Sequence, residues 1–213
     1  MDGMPLTYIL PSLKIEGILS VEEAISRRRS RRSFSGEMIQ AEEVSQILWA
    51  AYGFPRPVKS ASPEGSAFRT APSAGATYPL ELYLLAGKVR GIEPGVYRYI
   101  PRDHKMIRVI DDDIKPELSV AALNQEMIRD APACLFFSAV FSRTTRIYGE
   151  RGSRRYVCMD LGHSAQNVYL QAEALQLGTC AIGAFHDSRV RAVMQLPEEE
   201  EPLYIMPIGK THA

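Results

Sequence analysis

Cysteine is scarce in this 213-residue chain: Cys134, Cys158 and Cys180 are all there are. No CxxC pair occurs, which excludes the usual spacing of a structural zinc site or a thioredoxin-type motif. An odd, widely spaced set fits a reducing compartment better than a disulfide framework. Net charge is lacking too, with 25 Lys+Arg against 25 Asp+Glu. That balance argues against bulk nucleic acid or an anionic membrane surface as main partner, and it leaves self-association unopposed by net repulsion. The longest apolar run, Ala131–Val140, falls far short of the roughly 18 residues of a membrane span. The N-terminal stretch has no basic n-region, and Pro5 and Pro11 interrupt it. A soluble, cytoplasmic chain is the expectation. A GxGxxG after a strand, a Walker A loop, HExxH and GxSxG are all missing. His104, His163, His186 and His212 show no ligand spacing, so neither a metal site nor a catalytic triad is expected.

What is present suffices for a packed core. At roughly 150 residues per domain, the length allows one domain or two tight ones. Such a chain buries roughly 70% of its unfolded surface and needs no staple. Ser20-Val21-Glu22-Glu23 is a capping box and predicts a helix start. Val44, Ile47, Leu48 and Ala51 predict a second helix over 41–52, with Gly53 as its C′ stop. Leu161, Ala165, Val168, Ala172 and Leu175 predict a long helix over 157–177, ended by Gly178. Its small residues would admit another helix closely, including the same helix of a second copy. Shorter helices are expected at 115–124 and 188–195.

Leu80–Ala86, Cys134–Val140 and Leu203–Ile208 read as strands buried on both faces. Val96–Ile100 and Met106–Ile110 flank a four-residue hairpin loop, Pro101–His104. Without a regular β-α-β-α rhythm, the class is α+β. The Pro/Ser/Gly-rich stretch Phe54–Pro72 is too long for a bland connection and is either mobile or functional.

Three constellations could carry chemistry. Arg27, Arg28, Arg29, Arg31 and Arg32, with Ser30 among them and Ser33 after them, lie between two patterned helices. A solvated basic face is the plain alternative to a phosphate grip, for which guanidinium forks, hydroxyls and free backbone N–H groups are suited. Arg69–Pro79 is a loop stripped of bulk, either a strand lead-in or a surface for a flat ligand, with Ser73 as a donor. Gly178–Phe185 is a buried turn or a second place of close backbone approach. Together they suit a tightly held planar cofactor with a phosphate.

These residues resemble the nitroreductase-like flavoprotein family. Arg28–Phe34 is similar to its RRSxRxF box. Pro72-Ser73 resembles its second flavin loop, and Gly178 with Ile182–Phe185 its third. PSAGATYPLELY at 72–83, GVYRY at 95–99 and DLGHSAQNVYLQAEALQLG at 160–178 are most like the branch related to SagB-type, azoline-oxidising dehydrogenases. The likeness covers about residues 20–210.

The resemblance implies a single FMN-binding domain over 1–213, with a central, mostly antiparallel sheet flanked by helices, in an interlocked homodimer. It implies FMN held by Arg28, Arg29, Ser30 and Arg32 of one subunit and by Pro72, Ser73, Ala74 and Gly75 of the other. Ala181, Ile182, Gly183 and Ala184 would hold the ring through backbone N–H groups, and Lys210 would add a basic group. Hydride would pass from NADH or NADPH through flavin N5 to a small-molecule acceptor, with no catalytic side chain.

Ala76 and Tyr78 stand where nitroreductases proper have Asn and Gln. Ile147-Tyr148 stands where azoline oxidases have a Lys-Tyr pair. Tyr148 and Arg146 are candidate substrate contacts. The arginine-rich stretch around them (Arg143, Arg146, Arg151, Arg154, Arg155) either lines a substrate mouth suited to an anion or is a solvated loop. A peptide-heterocycle dehydrogenase working with a partner cyclase, a flavin binder with little turnover and an arginine-block nucleic-acid binder remain open readings.

Overall fold

The computed structural model describes residues 6–55 and 68–212. The middle of the long Phe54–Pro72 stretch thus lies outside the described residues. Among the described residues nine strands follow in chain order: β1 Thr7–Ile9, β2 Ile39–Gln40, β3 Leu80–Ala86, β4 Val89–Arg90, β5 Gly95–Ile100, β6 Lys105–Ile110, β7 Ala133–Ala139, β8 Leu177–Thr179 and β9 Glu201–Lys210. Seven of them form one sheet in the order β1-β6-β5-β3-β7-β9-β8, and every pairing in it is antiparallel. β2 and β4 form a two-residue parallel pair. The helices are α1 Val21–Arg27, α2 Ala41–Tyr52, α3 Lys115–Ala121, α4 Glu126–Asp130, α5 Ser142–Tyr148, α6 Val157–Ala174 and α7 Asp187–Val193. The α+β architecture with an antiparallel sheet is the one expected.

The apolar strands have helices on both sides. Leu80, Leu82, Leu84 and Ala86 of β3 join the cluster that holds Val44, Leu48, Leu161 and Val168 of α2 and α6. Tyr83 and Leu85 point the other way, towards Leu118, Ile128 and Val190 of α3, α4 and α7. β7 divides likewise, Leu135 and Phe137 against Cys134 and Phe136. Alternate residues therefore enter different cores, so no position in these strands is free to be polar without a partner. Truncating one such leucine to alanine costs about 2–5 kcal/mol.

α1 begins at the expected capping box. The Glu23 amide donates to Ser20 Oγ at 3.1 Å, and the Ser20 amide to Glu23 Oε2 at 3.3 Å. Three expectations need correction. Gly53 ends α2 where expected, but as the cap residue itself, with φ −73°, and not at C′. It is needed because a Cβ there would lie 2.9 Å from the Trp49 Cα. The long helix ends at Ala174, and Gln176 (φ +58°) makes its left-handed exit. Gly178 instead sits inside β8, where a Cβ would come within 3.0 Å of the Arg31 Cβ. Third, the small-residue stripe of α6 faces its own subunit. Ala165 is buried, and α2 is the close neighbour: Ser164 Oγ donates to the Ala51 carbonyl at 2.6 Å and Asn167 Nδ2 to the Ala50 carbonyl at 3.0 Å.

Sequence periodicity gave no warning of α5 or of the π-helical turn Gly152–Tyr156 that leads into α6. The arginines of this stretch mask any apolar repeat. The segment before α1 lies over α2 and α6 and bounds a cavity of about 830 Å³. Ile15, Ile18 and Val21 there are exposed, Ile18 completely.

Candidate functional site

The arginine box is held extended along the end of the sheet. The Arg31 amide donates to the Thr179 carbonyl of β8, and the Ser35 amide to the Lys210 carbonyl of β9, both at 2.9 Å. Two of the box's cations are already neutralised. Arg27 reaches Glu23 at 3.1 Å, and the Arg31 guanidinium forks onto Glu173 of α6. Arg28, Arg29 and Arg32 have no carboxylate partner among the described residues. An unneutralised set of guanidiniums beside a serine hydroxyl fits a phosphate or another oxyanion.

α6 ties this box to the third constellation through Tyr169. The Arg28 guanidinium lies over the Tyr169 ring, 5.3 Å from its centroid. Ser30 Oγ is 3.0 Å from the Tyr169 hydroxyl. That hydroxyl accepts the Ala181 amide at 2.7 Å. Ile182 then exchanges backbone hydrogen bonds with Ile205 of β9, at 2.9 and 3.0 Å. Gly183 and Ala184 follow on the surface, with Gln125 Nε2 donating to the Ala184 carbonyl at 2.9 Å. Burial raises the pKa of the adjacent Cys180 thiol, and Arg32 pulls it back, so the Arg32 charge is felt at this loop. Lys210 lies close to the box through its backbone, while its ammonium is 3.6 Å from Glu37.

The second loop is anchored elsewhere. Ser73 Oγ donates to Asp160 Oδ2 at 2.5 Å, and the Ala74 amide to Asp160 Oδ1 at 3.2 Å. The Tyr78 amide donates to Ser73 Oγ at 2.9 Å. Asp160 is buried. Burial raises its pKa, partly offset by the hydrogen bonds from Ser73 and Ala74. Gly75 turns through the left-handed region (φ +58°), and a Cβ there would strike the Tyr148 hydroxyl. His163 Nδ1 lies 3.3 Å from the Pro72 carbonyl, the helix-end role that suits a lone histidine. Arg146 is exposed on α5.

One chain therefore gathers the expected residues into two groups. Arg28, Arg29, Ser30, Arg32, Lys210 and Ala181–Ala184 gather around the C-terminal half of α6. Pro72, Ser73, Ala74 and Gly75, with Tyr148, lie at its N-terminal end. Asp160 and Tyr169 are nine residues apart, about 14 Å along the axis at 1.5 Å per residue. Sequence reasoning missed Asp160, Tyr169 and Glu173 as the side chains that position the loops. Asp160 left one signal, a carboxylate beside an apolar stripe, which needs a buried partner. Among the described residues no His/Cys/Asp/Glu group could hold a metal ion, and no helix is long and apolar enough to cross a membrane.

Residues 25–210 match the model of the Nitroreductase family. A nitroreductase candidate of Methanocaldococcus jannaschii, MJ1384, is 44% identical over 90% of this chain and 91% of its own length. The trifolitoxin-processing protein TfxB of Rhizobium leguminosarum bv. trifolii is 32% identical over 60% of this chain, which spans 35% of TfxB. An FMN reductase (NADPH) of Bacillus subtilis is 24% identical over 88% of this chain and 64% of its own. The crystal structure of a nitroreductase candidate from Anabaena variabilis superposes with a TM-score of 0.81 at 28% identity. The match covers 98% of this chain and 42% of that one.

Proposed function

The chain belongs to the nitroreductase family, in company with trifolitoxin-processing relatives, and on that premise we propose that it is an FMN-dependent oxidoreductase. In this reading it passes hydride from NADH or NADPH to a small-molecule acceptor. The observation that carries the reading is the unneutralised set Arg28, Arg29 and Arg32, joined through Tyr169 to the Ala181–Ala184 backbone. Arg28, Arg29, Ser30 and Arg32 would hold the phosphate, and Lys210 would add charge once freed from Glu37. The backbone of Ala181–Ala184 would lie along the ring edge. When bound, FMN supplies the two-electron chemistry at N5, so no side chain of this protein need act as acid or base.

The second loop completes the site from a neighbouring copy. Its anchor on Asp160 sets it about 14 Å along α6 from Tyr169, at the other end of the helix from the arginine box. A homodimer built across α6 would bring one copy's loop to the other's arginine box. Exposed Ile15, Ile18, Val21 and Met159 on or beside this helix layer are the apolar surface such a contact would cover. Tyr148 and Arg146 would then stand on the substrate side.

The absorbance spectrum of the purified protein tests this, followed by acid release, chromatography of the flavin and bleaching with NADH or NADPH. FMN and bleaching are expected. FAD, or no flavin after reconstitution, overturns the assignment. The likeness to TfxB supports a second reading, a peptide-heterocycle dehydrogenase acting with partner enzymes. Loss of two hydrogens from an azoline-containing peptide, seen by mass spectrometry, would favour it over a small acceptor.

A further inference from the structure

Residues 142–156 carry five arginines and one acid, Glu150. Two of the arginines have carboxylate partners. Arg143 reaches Glu81 Oε1 at 2.6 Å and the Tyr78 carbonyl at 3.1 Å, so it braces the second loop. Arg154 lies 3.6 Å from Glu150. Arg146, Arg151 and Arg155 are exposed and have no carboxylate partner among the described residues. They share this short stretch with Tyr148 and Tyr156, whose rings meet edge to face with centroids 4.8 Å apart. Tyr148 in turn lies against Gly75. The π-helical turn at Gly152–Tyr156 departs from regular helix within the same patch, a distortion that recurs at functional sites.

Three unpaired like charges this close in sequence repel one another, and a face serving only solvation would interleave acids. The stretch that carries this free charge touches the loop that holds Ser73 and Gly75 through Tyr148. We propose that Arg146, Arg151 and Arg155, beside the Tyr148–Tyr156 ring pair, select small molecules bearing a carboxylate or phosphate for entry at the Pro72–Gly75 loop. The inference rests on that loop being one wall of the reaction site. The anion has two possible carriers: the acceptor, or the 2′-phosphate of NADPH. Each exposed contact contributes a factor of about two, so the three together give about tenfold, and the preference fades with salt.

The test uses the full-length protein as purified, with its flavin content recorded. Calorimetric titrations compare 4-nitrobenzoate with neutral 4-nitrobenzamide, and NADPH with NADH. They are run on the wild type, on Arg146→Gln/Arg151→Gln/Arg155→Gln, and on the corresponding Arg→Lys triple variant. If the acceptor carries the anion, the glutamine variant loses about tenfold in 4-nitrobenzoate affinity with 4-nitrobenzamide unchanged. If the donor carries it, the NADPH preference over NADH falls by the same factor. In either case the lysine variant restores most of the loss. Equal affinities in all three proteins, or equal losses for charged and neutral ligands, overturn the proposal. A protein that stays flavin-free after reconstitution with FMN and still prefers 4-nitrobenzoate would retire the FMN assignment and leave the anion preference standing.

Discussion

The Tyr169 hydroxyl accepts the Ala181 amide at 2.7 Å while its ring lies under the Arg28 guanidinium, 5.3 Å from centroid to carbon. One side chain of α6 thus sets the spacing between a cationic segment and a backbone loop that are about 150 residues apart in the chain.

Tyr169→Phe keeps the ring under Arg28 and removes the acceptor of a half-buried amide. Leaving such a donor unpaired costs about 1–3 kcal/mol. Urea unfolding should show a lower midpoint with an unchanged slope. In the flavin-loaded protein, cofactor should leave faster on dilution. A variant equal to wild type in both measurements would show that the hydroxyl positions nothing.

Arg28→Ala or Arg32→Ala should weaken FMN binding by about 1.5–3 kcal/mol each, the range of a charge-assisted hydrogen bond, or roughly 10- to 150-fold. Arg102→Ala, on the Pro101–Asp103 turn between β5 and β6, is the control and should have no effect. Fluorescence titration of apoprotein with FMN reads all three. Equal affinities would mark the box as a solvated face.

Asp160 makes stability depend on pH in a definite sense. Burial raises its folded pKa above the usual carboxylate value, so the folded state binds the proton more readily. Its contribution is full below the unfolded pKa of about 3.9 and is lost as pH rises through the folded value. Asp160→Asn removes that titration. The stability of wild type minus that of the variant should therefore be more favourable at pH 4 than at pH 7. A difference that is flat or rises with pH would mean that the bonds from Ser73 and Ala74 outweigh burial.

Glycine substitutions separate conformational from steric need. Gly75→Ala meets both a left-handed φ and the Tyr148 hydroxyl, and should destabilise by at least about 1–2 kcal/mol. Gly162→Ala, within α6 and with nothing within 4 Å, should stabilise the isolated subunit by about 0.5–1 kcal/mol. Thermal melts of both variants check the signs.

Assembly is best probed on the open face of α6. Ala165→Glu would bury a charge inside the subunit, where Ala165 is 4% exposed, and would unfold it. Met159→Glu changes a residue that is 53% exposed. Light scattering and flavin content on the same sample should show monomer and lost FMN together. A monomer with full flavin would overturn the shared-site arrangement.

The strands were legible where both faces are covered, because every position of Leu80–Ala86 had to be compatible with burial. The capping box at Ser20 was legible because it is local. Gly53 was read correctly as the end of α2 and Gly178 wrongly as the end of α6; at both, a neighbouring backbone or side chain excludes a Cβ. Tyr169 and Glu173 were invisible as positioning groups because their partners, Ala181, Ser30 and Arg31, are adjacent only after the sheet has formed. The polar pattern of α6 shows which residues are not core, and long-range contact alone decides what they hold.

Because the arginine box and the second loop dock at opposite ends of α6, two copies packed about a two-fold axis across that helix would close two sites simultaneously. Neither site could be completed by a subunit alone. The amount of flavin-loaded dimer would then follow the square of subunit concentration at high dilution, and added FMN would draw subunits together by mass action. The helix would act as a counting device: a cell making too little of this chain would hold it as colourless halves, and the onset of flavin loading would be a threshold in expression, not a constant affinity.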